Sequence, residues 1–516
     1  MTSEPPITPP DATLAAAPDE DHEASLARKT VSGLAWTISM GWGARIVQLF
    51  GTLVLTYFVD PEAMGEVTNA AVLVMTADRL SGLGVSNFLL TVRNPSREVT
   101  WHVSMVMAVS GVVAMGALML LALPMGGLLR SPDLISYLPG LALSTLLLRM
   151  GAIPERLLQG GLRFRDVSVA RAWSEMSYAV VATALGVAGA GAMSVVGGNL
   201  CRSAVYLLLM TRRIAPAQWL TPSPYSRPLA RSIFSFGAPL TAANVCSVVA
   251  RYWDNLVVSW MFGAAATGTY NLAYNLADIP ATQIGEHITD VLTPSLVQLD
   301  SEGRKRALVR WLAILSLVVF PAAIGLGVVA PTLVRTALPA KWAGVAPMLV
   351  ILSGIGVLRP AGWAIGSYFV ASRRSRTVLA VMVVHVVALI GAMVVLGSLL
   401  GPLGACVGVG LGFCVYAGGY LIALVRTEHV EWTSVVEAMS RPLYACVVMV
   451  LAVLGARAAL EGSGIWIKGV NLAVEVLVGA AAYVLVSLVV ARPVVRDAVF
   501  LLRDTWSRRG SVAAVA

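Results

Sequence analysis

The sequence predicts an all-α integral membrane protein with about 14 transmembrane helices, on three observations. First, 57% of the 516 residues are hydrophobic and only 13% are charged, which is too little charge for a surface that faces water. Second, apolar stretches of roughly 20 residues, the length that spans a bilayer, recur from Val31 onwards. Third, these stretches are longer than the strands of a membrane barrel and lack their strict alternation.

The predicted spans are separated by short polar breaks. They cover residues 32–59, 64–91, 101–128, 137–155, 169–187, 193–211, 233–261, 267–292, 310–334, 344–370, 377–400, 402–425, 442–460 and 469–491. Residues 1–30, rich in proline and acidic side chains, are expected to form a disordered cytoplasmic tail. The rest of the chain then divides into an N-terminal six-helix lobe (31–212), a cytoplasmic linker (213–232), a C-terminal six-helix lobe (233–425), two additional helices (426–491) and a basic cytoplasmic tail (492–516).

The basic residues are distributed unevenly between the two sides of the predicted bundle. Of the 37 Lys and Arg, six lie within spans, five lie at breaks on one side, and the remaining 26 lie on the other side. Because Lys and Arg accumulate in cytoplasmic loops, this bias predicts that both termini are cytoplasmic. It also favours an even number of spans.

Several classes of site find no support in the sequence. The five cysteines fall inside apolar segments and form no CxxC pair, so neither a metal site nor a disulfide framework is predicted. No run of interleaved basic and aromatic residues resembles a nucleic-acid surface, and no GxxxxGKS or GxxxxGKT phosphate loop is present. The predicted loops are too short to hold a soluble catalytic domain. We therefore predict no cofactor and no nucleic-acid partner.

A weak internal repeat appears at an offset of 203 residues. It pairs Arg28 with Arg231, each at the start of an apolar span, and Gly65 with Gly268, each after a short outer turn. Spans 1–6 and 7–12 would then be two halves with an even number of helices each. Such halves are related by an axis along the membrane normal, as in parallel-repeat transporters.

Arginines inside the spans are candidates for a functional site, because a charge in hydrocarbon costs several kcal/mol. Arg45 lies close to mid-membrane on a polar face of the first span, where a structural ion pair is the alternative explanation. Arg149 and Arg202 are expected to approach the cytoplasmic surface.

Two further arginines have notable sequence neighbours. Arg79 follows Asp78, with which it is expected to form a self-contained pair. Arg359 precedes Pro360, whose missing N–H is expected to break the helix and to form a gate or a bend.

The seventh and eighth spans have the densest polar pattern. Arg251 and Asn255 share a face of span seven, and Asp254, three residues after Arg251, is expected to neutralise it in part. In span eight, polar and small residues recur at a spacing that places them on one helix face: Asn271, Asn275, Asp278, Thr282, Gly285 and Thr289, flanked by Glu286 and Asp290. Because this face cannot contact lipid, it lines either a hydrated cavity or a dry hydrogen-bonded bundle.

These polar residues suggest two roles within one lumen. Guanidinium is the preferred protein partner of phosphate, so arginines and amides suit a hydrophilic anion attached to a lipid tail. The predicted substrate-binding residues are Arg45, Arg79, Arg251, Asn255, Asn271, Asn275 and Arg359. The predicted ion-coupling residues are Asp254, Asp278, Glu286 and Asp290.

Five segments of the chain are similar to a known family. They are residues 30–36 (TVSGLAW), 61–65 (PEAMG), 157–165 (LLQGGLRFR), 234–240 (FSFGAPL) and 263–280. Together they resemble the Wzx-type oligosaccharide flippases of the multidrug/oligosaccharidyl-lipid/polysaccharide exporter superfamily. The resemblance places the family's lumen arginines and acids on Arg45, Arg79, Arg251, Asp254 and Asp278.

The resemblance implies two six-helix lobes that alternate access across a bacterial inner membrane. It also implies a substrate of oligosaccharide linked to undecaprenyl pyrophosphate, flipped to the periplasmic leaflet for surface polysaccharides such as lipopolysaccharide or exopolysaccharide. Coupling to a proton or sodium gradient is common in the family, and two extra C-terminal helices occur in relatives. A polysaccharide polymerase and co-polymerase are further candidate partners, which the sequence leaves open.

Other functions remain as alternatives. A cation-coupled multidrug exporter of the same superfamily would favour carboxylates in the lumen, whereas this chain places at least as many arginines there. A membrane polysaccharide polymerase or ligase generally needs a sizeable outer loop, which the sequence does not predict. A purely structural scaffold would not need six arginines within its spans.

Overall fold

The fold is given by a computed structural model. The description covers the backbone of residues 50–497, except 83, 93–94, 298, 463–466 and 468, together with residues 43 and 47. It excludes the side chains at 238–244, 247, 279–281, 283–291 and 293–295. Throughout these described residues, the regular elements are helices.

The helices follow one another along the chain. They are residues 50–58 (α1), Pro61–Gly82 (α2), Val85–Thr91 (α3), Arg97–Leu128 (α4), Leu134–Gly160 (α5), Phe164–Val187 (α6), Met193–Arg213 (α7), Arg227–Phe262 (α8), Ala264–Val297 (α9), Ser301–Ala337 (α10), Val345–Ile355 (α11), Arg359–Ala371 (α12), Ser375–Glu428 (α13), Trp432–Gly462 (α14), Val470–Val490 (α15) and residues 492–497 (α16). Two single 3-10 turns cover Pro216–Gln218 and Ala340–Trp342. The connection between α7 and α8 is formed by residues 214–226.

The fold is that of a multi-pass membrane protein. Within the described residues, eight helices are long and apolar enough to cross a membrane, judged by length and composition. Helical residues also overlap each of the predicted spans. The helices α2, α8 and α9 are outside the eight, and they contain many of the polar side chains of the candidate site.

Two predicted spans are divided, and two others are joined. Span 64–91 becomes α2 and α3, and span 344–370 becomes α11 and α12. Pro360 lies in the first turn of α12, where its missing N–H costs no helical hydrogen bond. The predicted helix break at this proline is confirmed, since α11 ends at Ile355 and α12 begins at Arg359, and the predicted role as a gate stays a prediction. Spans 377–400 and 402–425 form α13, which is kinked at Gly401 (φ 69°) before Pro402.

Each half of the bundle has an apolar core of its own. In the N-terminal half, Leu55 and Leu138 are buried in a cluster formed mainly by α1, α2, α5 and α7. In the C-terminal half, Tyr270 and Leu349 are buried in a cluster formed mainly by α9, α11 and α13. Leu53 and Met64 from the N-terminal half also pack against the C-terminal core, so the two cores are in contact.

The last two long helices are attached to α10 through a buried ion pair. Arg457 Nη2 on α14 lies 2.8 Å from Glu475 Oε2 on α15, and the Glu475 side chain is only 1% exposed. From α10, the Thr332 hydroxyl donates to Glu475 Oε1 at 2.7 Å, and the Val328 carbonyl accepts from Arg457 Nη2 at 2.6 Å. The ion pair therefore connects three helices.

We expect Glu475→Gln to destabilise the protein by about 3–5 kcal/mol, because it leaves the partly buried Arg457 without its counter-ion. The measurement is the thermal unfolding midpoint of the purified protein in detergent. Glu431→Gln, at an exposed carboxylate beside α14, is the control and should leave the midpoint unchanged. Equal midpoints for the two variants would contradict the structural role of the pair.

Candidate functional site

Asp278 on α9 lies between two arginines from other helices. Its Oδ1 accepts a hydrogen bond from Nη1 of Arg359 at the start of α12, and its Oδ2 lies 3.6 Å from Nη2 of Arg251 on α8. Asp278 and Arg359 are buried, whereas 43% of the Arg251 side chain is exposed. We call these three residues the C-lobe charge cluster. Its buried pair fixes the carboxylate, and its exposed member is accessible to a ligand.

Arg251 has a carboxylate neighbour that differs from the one that the sequence predicts. Asp254, the predicted partner, is 2% exposed and accepts hydrogen bonds from the Tyr270 hydroxyl at 2.6 Å and from the Asn255 backbone N–H at 2.9 Å. Residues three apart on a helix diverge by about 60°, so Asp254 points into the core while Arg251 reaches exposed space. Asp278, from the next helix, is the carboxylate that lies beside Arg251.

Three predicted asparagines form a continuous chain of hydrogen bonds that ends at Asp254. Asn275 Nδ2 donates to Asn271 Oδ1 at 2.9 Å, and Asn271 Nδ2 donates to Asn255 Oδ1 at 3.0 Å. Asn255 Nδ2 in turn donates to Asp254 Oδ1 at 3.0 Å. Asn275 is exposed and Asn255 is buried, so the chain leads from the surface to the carboxylate. Every amide donates in the direction of Asp254, whose Oδ1 is the last acceptor of the chain.

A cavity of 650 Å³ lies inside the N-terminal half, between α2, α5 and α7. Its described lining residues include four arginines and one carboxylate, namely Arg79, Arg149, Arg156, Arg202 and Asp78. Hydroxyl and amide side chains, among them Ser144 and Asn199, also line it. We call this space the N-lobe cavity. Its excess of guanidinium groups makes it attractive to a phosphate-bearing or acidic ligand.

Arg149 is the buried cation of this cavity. The sequence predicts that Asp78 pairs with Arg79, but Asp78 Oδ1 lies 3.4 Å from Arg149 Nη1, which also donates to Ser81 Oγ at 2.7 Å. Only 3% of the Arg149 side chain is exposed, so it is buried among the helices, and its approach to the cytoplasmic surface stays a prediction. Asp78 forms its ion pair with Arg149, whereas the exposed Arg79 also lines the cavity and interacts with Asp78 electrostatically without a direct ion pair.

The other two cavity arginines are also held in place. Arg202 Nη1 lies 3.4 Å from Glu175 Oε1, and Arg156 Nη1 donates to Gln159 Oε1 at 2.8 Å. Sequence reasoning did not assign Arg149, Arg156 or Arg202 to the site. A signal existed for Arg149, since it is an arginine inside a predicted span, where a charge is costly.

The two halves touch closely at the outer end of the bundle, which we define by the turns before α2, α9 and α11. A Cβ atom on Gly65 would lie 1.8 Å from the Ala264 carbonyl oxygen, and one on Gly268 would lie 1.9 Å from the Pro61 carbonyl oxygen. The same offset of 203 residues relates Gly65 to Gly268 and Pro61 to Ala264. The contact is therefore reciprocal, and we call it the glycine crossing. Only residues without a side chain permit this approach of two backbones.

Polar contacts surround the glycine crossing. Lys341 Nζ lies 2.9 Å from Asp60 Oδ1, and Trp342 Nε1 donates to the Thr56 carbonyl at 2.9 Å. Deeper in the bundle, Asn69 Nδ2 donates to Ser259 Oγ at 2.6 Å. Each of these contacts joins an N-terminal helix or turn to a C-terminal one. The outer end is therefore closed in this structure.

Three predicted site residues lie outside the description. Arg45 is not among the described residues, and the side chains of Glu286 and Asp290 are not described. Their assignment to the lumen and to ion coupling stays a prediction.

Comparisons with known proteins agree on a family. The family model described as "Polysaccharide biosynthesis protein" matches residues 54–347. The lipopolysaccharide biosynthesis protein WzxC of Escherichia coli (strain K12) is 29% identical over 398 residues, which are 74% of this chain and 78% of that protein. The succinoglycan biosynthesis transport protein ExoT of Rhizobium meliloti (strain 1021) is 25% identical over 496 residues, 94% of this chain and 98% of that protein.

Solved structures share the fold. The lipid II flippase MurJ in an inward closed conformation superimposes with a TM-score of 0.72 at 13% identity, over 89% of this chain and 99% of that one. A multidrug resistance MATE family transporter of the MOP superfamily, in an inward-facing conformation, gives 0.57 at 17% identity, over 73% and 94% of the two chains. The family match covers more than half of the chain, and the protein therefore belongs to the polysaccharide biosynthesis protein family.

Proposed function

We propose that this protein flips undecaprenyl-pyrophosphate-linked oligosaccharide repeat units from the cytoplasmic to the periplasmic leaflet of a bacterial inner membrane. The observation that carries the proposal is the N-lobe cavity, where four arginines face one carboxylate among the described lining residues of a membrane protein. Family membership supports it, as do relatives named for lipopolysaccharide biosynthesis and succinoglycan transport. The fold shared with a lipid II flippase agrees with it.

The proposed binding mode follows from the charges. A pyrophosphate accepts several charge-assisted hydrogen bonds, and the exposed guanidinium groups of Arg79 and Arg251 offer planar pairs of donors. The amides of Asn271 and Asn275 suit sugar hydroxyls. The lipid tail stays in the bilayer while the proposed lobes, 31–212 and 233–425, rock about the substrate, with both chain termini in the cytoplasm.

The C-lobe charge cluster provides a proposed coupling step. Arg251 is exposed and 3.6 Å from Asp278, so a pyrophosphate can compete for it, whereas the buried Arg359 keeps Asp278 in place. A proton or sodium ion that neutralises Asp278 would weaken the attraction of this carboxylate for Arg251. Binding of the ion and of the anionic substrate would then favour the same arrangement of the cluster.

The multidrug exporter is the second candidate, and the charges argue against it. Export of cations needs accessible carboxylates, but Asp254 and Asp278 are buried and Asp78 is paired with Arg149. The exposed charges of the described candidate site are instead those of Arg79 and Arg251. A polymerase or ligase is not favoured either, because the relatives are named as transport proteins and flippases.

The test is complementation of a strain in which the gene is deleted. Arg251→Ala is expected to lower surface polysaccharide about tenfold and to raise lipid-linked oligosaccharide in the cytoplasmic leaflet, because one charge-assisted contact to the pyrophosphate is lost. Arg251→Lys should restore part of the activity. Arg426→Ala, at an exposed arginine near the end of α13, is the matched control and should complement fully.

Two outcomes separate the candidate functions. Unchanged lipid-linked oligosaccharide in the deletion strain, together with greater sensitivity to cationic drugs, would replace the flippase with the multidrug exporter. Full complementation by Arg251→Ala at normal expression would remove Arg251 from the substrate-binding residues.

A further inference from the structure

A second polar cavity lies away from both the N-lobe cavity and the C-lobe charge cluster. It has a volume of 370 Å³ and is formed by α10, α14 and α16, at the end of the bundle opposite the glycine crossing. Its charged lining residues are Arg306, Arg310, Arg441, Glu437 and Asp497. We call it the junction cavity. It lies where the last two long helices meet the C-terminal half, and no residue of the C-lobe charge cluster lines it.

The arginines of the junction cavity are only weakly engaged. Arg310 Nε lies 3.3 Å from Asp497 Oδ2, with both side chains 42% exposed. Arg441 pairs with Glu437 at 2.7 Å in a contact between successive turns of α14. Arg306 forms no ion pair with any carboxylate in the described part of the chain. Exposed pairs of this kind contribute little, so a stronger anion can displace the carboxylates.

The wall behind the charges is apolar. Ala313, Ile314 and Val494 line the cavity and are buried in one small cluster. A neighbouring space of 300 Å³ shares Arg306 and Arg310 and is also lined by Trp311. Arginine beside tryptophan at the start of an apolar helix is typical of the headgroup layer of a membrane. The junction cavity therefore combines a cationic opening with an apolar interior at the depth of phospholipid headgroups.

We propose that the junction cavity binds the phosphate headgroup of an anionic phospholipid of the phosphatidylglycerol type. The phosphate contacts Arg306 and Arg310 on α10 and Arg441 on α14, and the first acyl carbons pack on Ile314 and Val494. Basic pockets between membrane helices recognise anionic headgroups by this combination of charge and apolar surface. A bound lipid connects α10, α14 and α16, and it thereby fastens the last helices to the C-terminal half.

Native mass spectrometry of the full-length protein, released from detergent, tests the proposal. The wild type is offered phosphatidylglycerol and phosphatidylethanolamine in equal amounts and should retain the anionic lipid in excess. Each of Arg306→Ala and Arg310→Ala should lower phosphatidylglycerol retention about fivefold, and the double variant should lose the preference. Arg376→Ala, at an exposed arginine of α13 outside the cavity, is the matched control. Equal retention by the double variant and the wild type would overturn the proposal.

Glu437→Gln gives a reciprocal test that misfolding cannot imitate. It removes the carboxylate that competes for Arg441, so phosphatidylglycerol retention should rise, and an unchanged or lower retention counts against the site. Two competitors then distinguish the sources of phosphate. Inorganic phosphate should leave the lipid bound, because it lacks acyl chains. Undecaprenyl pyrophosphate should also leave it bound, and its displacement of the phospholipid through Arg306 would instead make the cavity part of the substrate path.

Discussion

Asp278→Asn is expected to abolish complementation and to destabilise the protein by about 3–5 kcal/mol, because it leaves the buried Arg359 without its counter-ion. Arg251 loses a partner at the same time, so two guanidinium groups then repel each other across α8 and α12. The measurements are surface polysaccharide in the deletion strain and the thermal unfolding midpoint of the purified variant. Full complementation by Asp278→Asn would show that the carboxylate has no part in transport.

Two further variants separate stability from transport. The double variant Asp278→Asn with Arg359→Gln removes both charges of the buried pair, so most of the lost stability should return while transport stays absent. Glu428→Gln is the matched control: this carboxylate is 12% exposed and lies 3.0 Å from Arg374 Nη2, at the end of the C-terminal half far from the glycine crossing. It should lower the unfolding midpoint but retain transport per folded molecule. Transport by the charge-neutral double variant would reduce Asp278 to a structural role.

Gly65→Ala should stop transport, with a loss of at least about tenfold. Its new Cβ atom would lie 1.8 Å from the Ala264 carbonyl oxygen, so α2 and α9 must separate and the outer end cannot close. Gly268→Ala should have the same effect, since it meets the Pro61 carbonyl oxygen at 1.9 Å. Neither change touches the arginines, so substrate affinity in the open arrangement should be preserved. The first measurement is again complementation.

The reactivity of a cysteine placed beneath the glycine crossing shows directly whether the outer end is closed. Ser259 is fully buried beneath the glycine crossing, so Ser259→Cys, in a chain whose five cysteines are replaced, should resist a membrane-impermeant thiol reagent. Adding Gly65→Ala should make it react from the outer side. Gly116→Ala is the control, because a Cβ atom there meets nothing within 4 Å and the position is exposed on α4. Protection of Ser259→Cys in the Gly65→Ala background would contradict the role of the crossing in closure.

The sequence by itself determined the helical membrane fold and which polar residues share one face of a helix. Apolar runs of spanning length predicted the helices, and local spacing placed Asn271, Asn275 and Asp278 on one face of α9, as the structure confirms. The offset of 203 residues singled out Gly65 and Gly268, which do meet. These features depend on rise and rotation along one helix, or on matching positions in two halves, and both can be obtained from the order of residues.

The tertiary structure alone decided which charges meet. Local spacing favoured Asp254 as the partner of Arg251, but the carboxylate beside Arg251 is Asp278, which also pairs with Arg359, 81 positions away. Local spacing likewise favoured Arg79 as the partner of Asp78, which instead pairs with Arg149 on another helix. The N-lobe cavity likewise joins arginines from three helices. An ion pair inside a membrane protein forms where two helices turn polar faces toward each other. That rotation is set by the packing of all the neighbouring helices together, and no periodicity within a single helix records it.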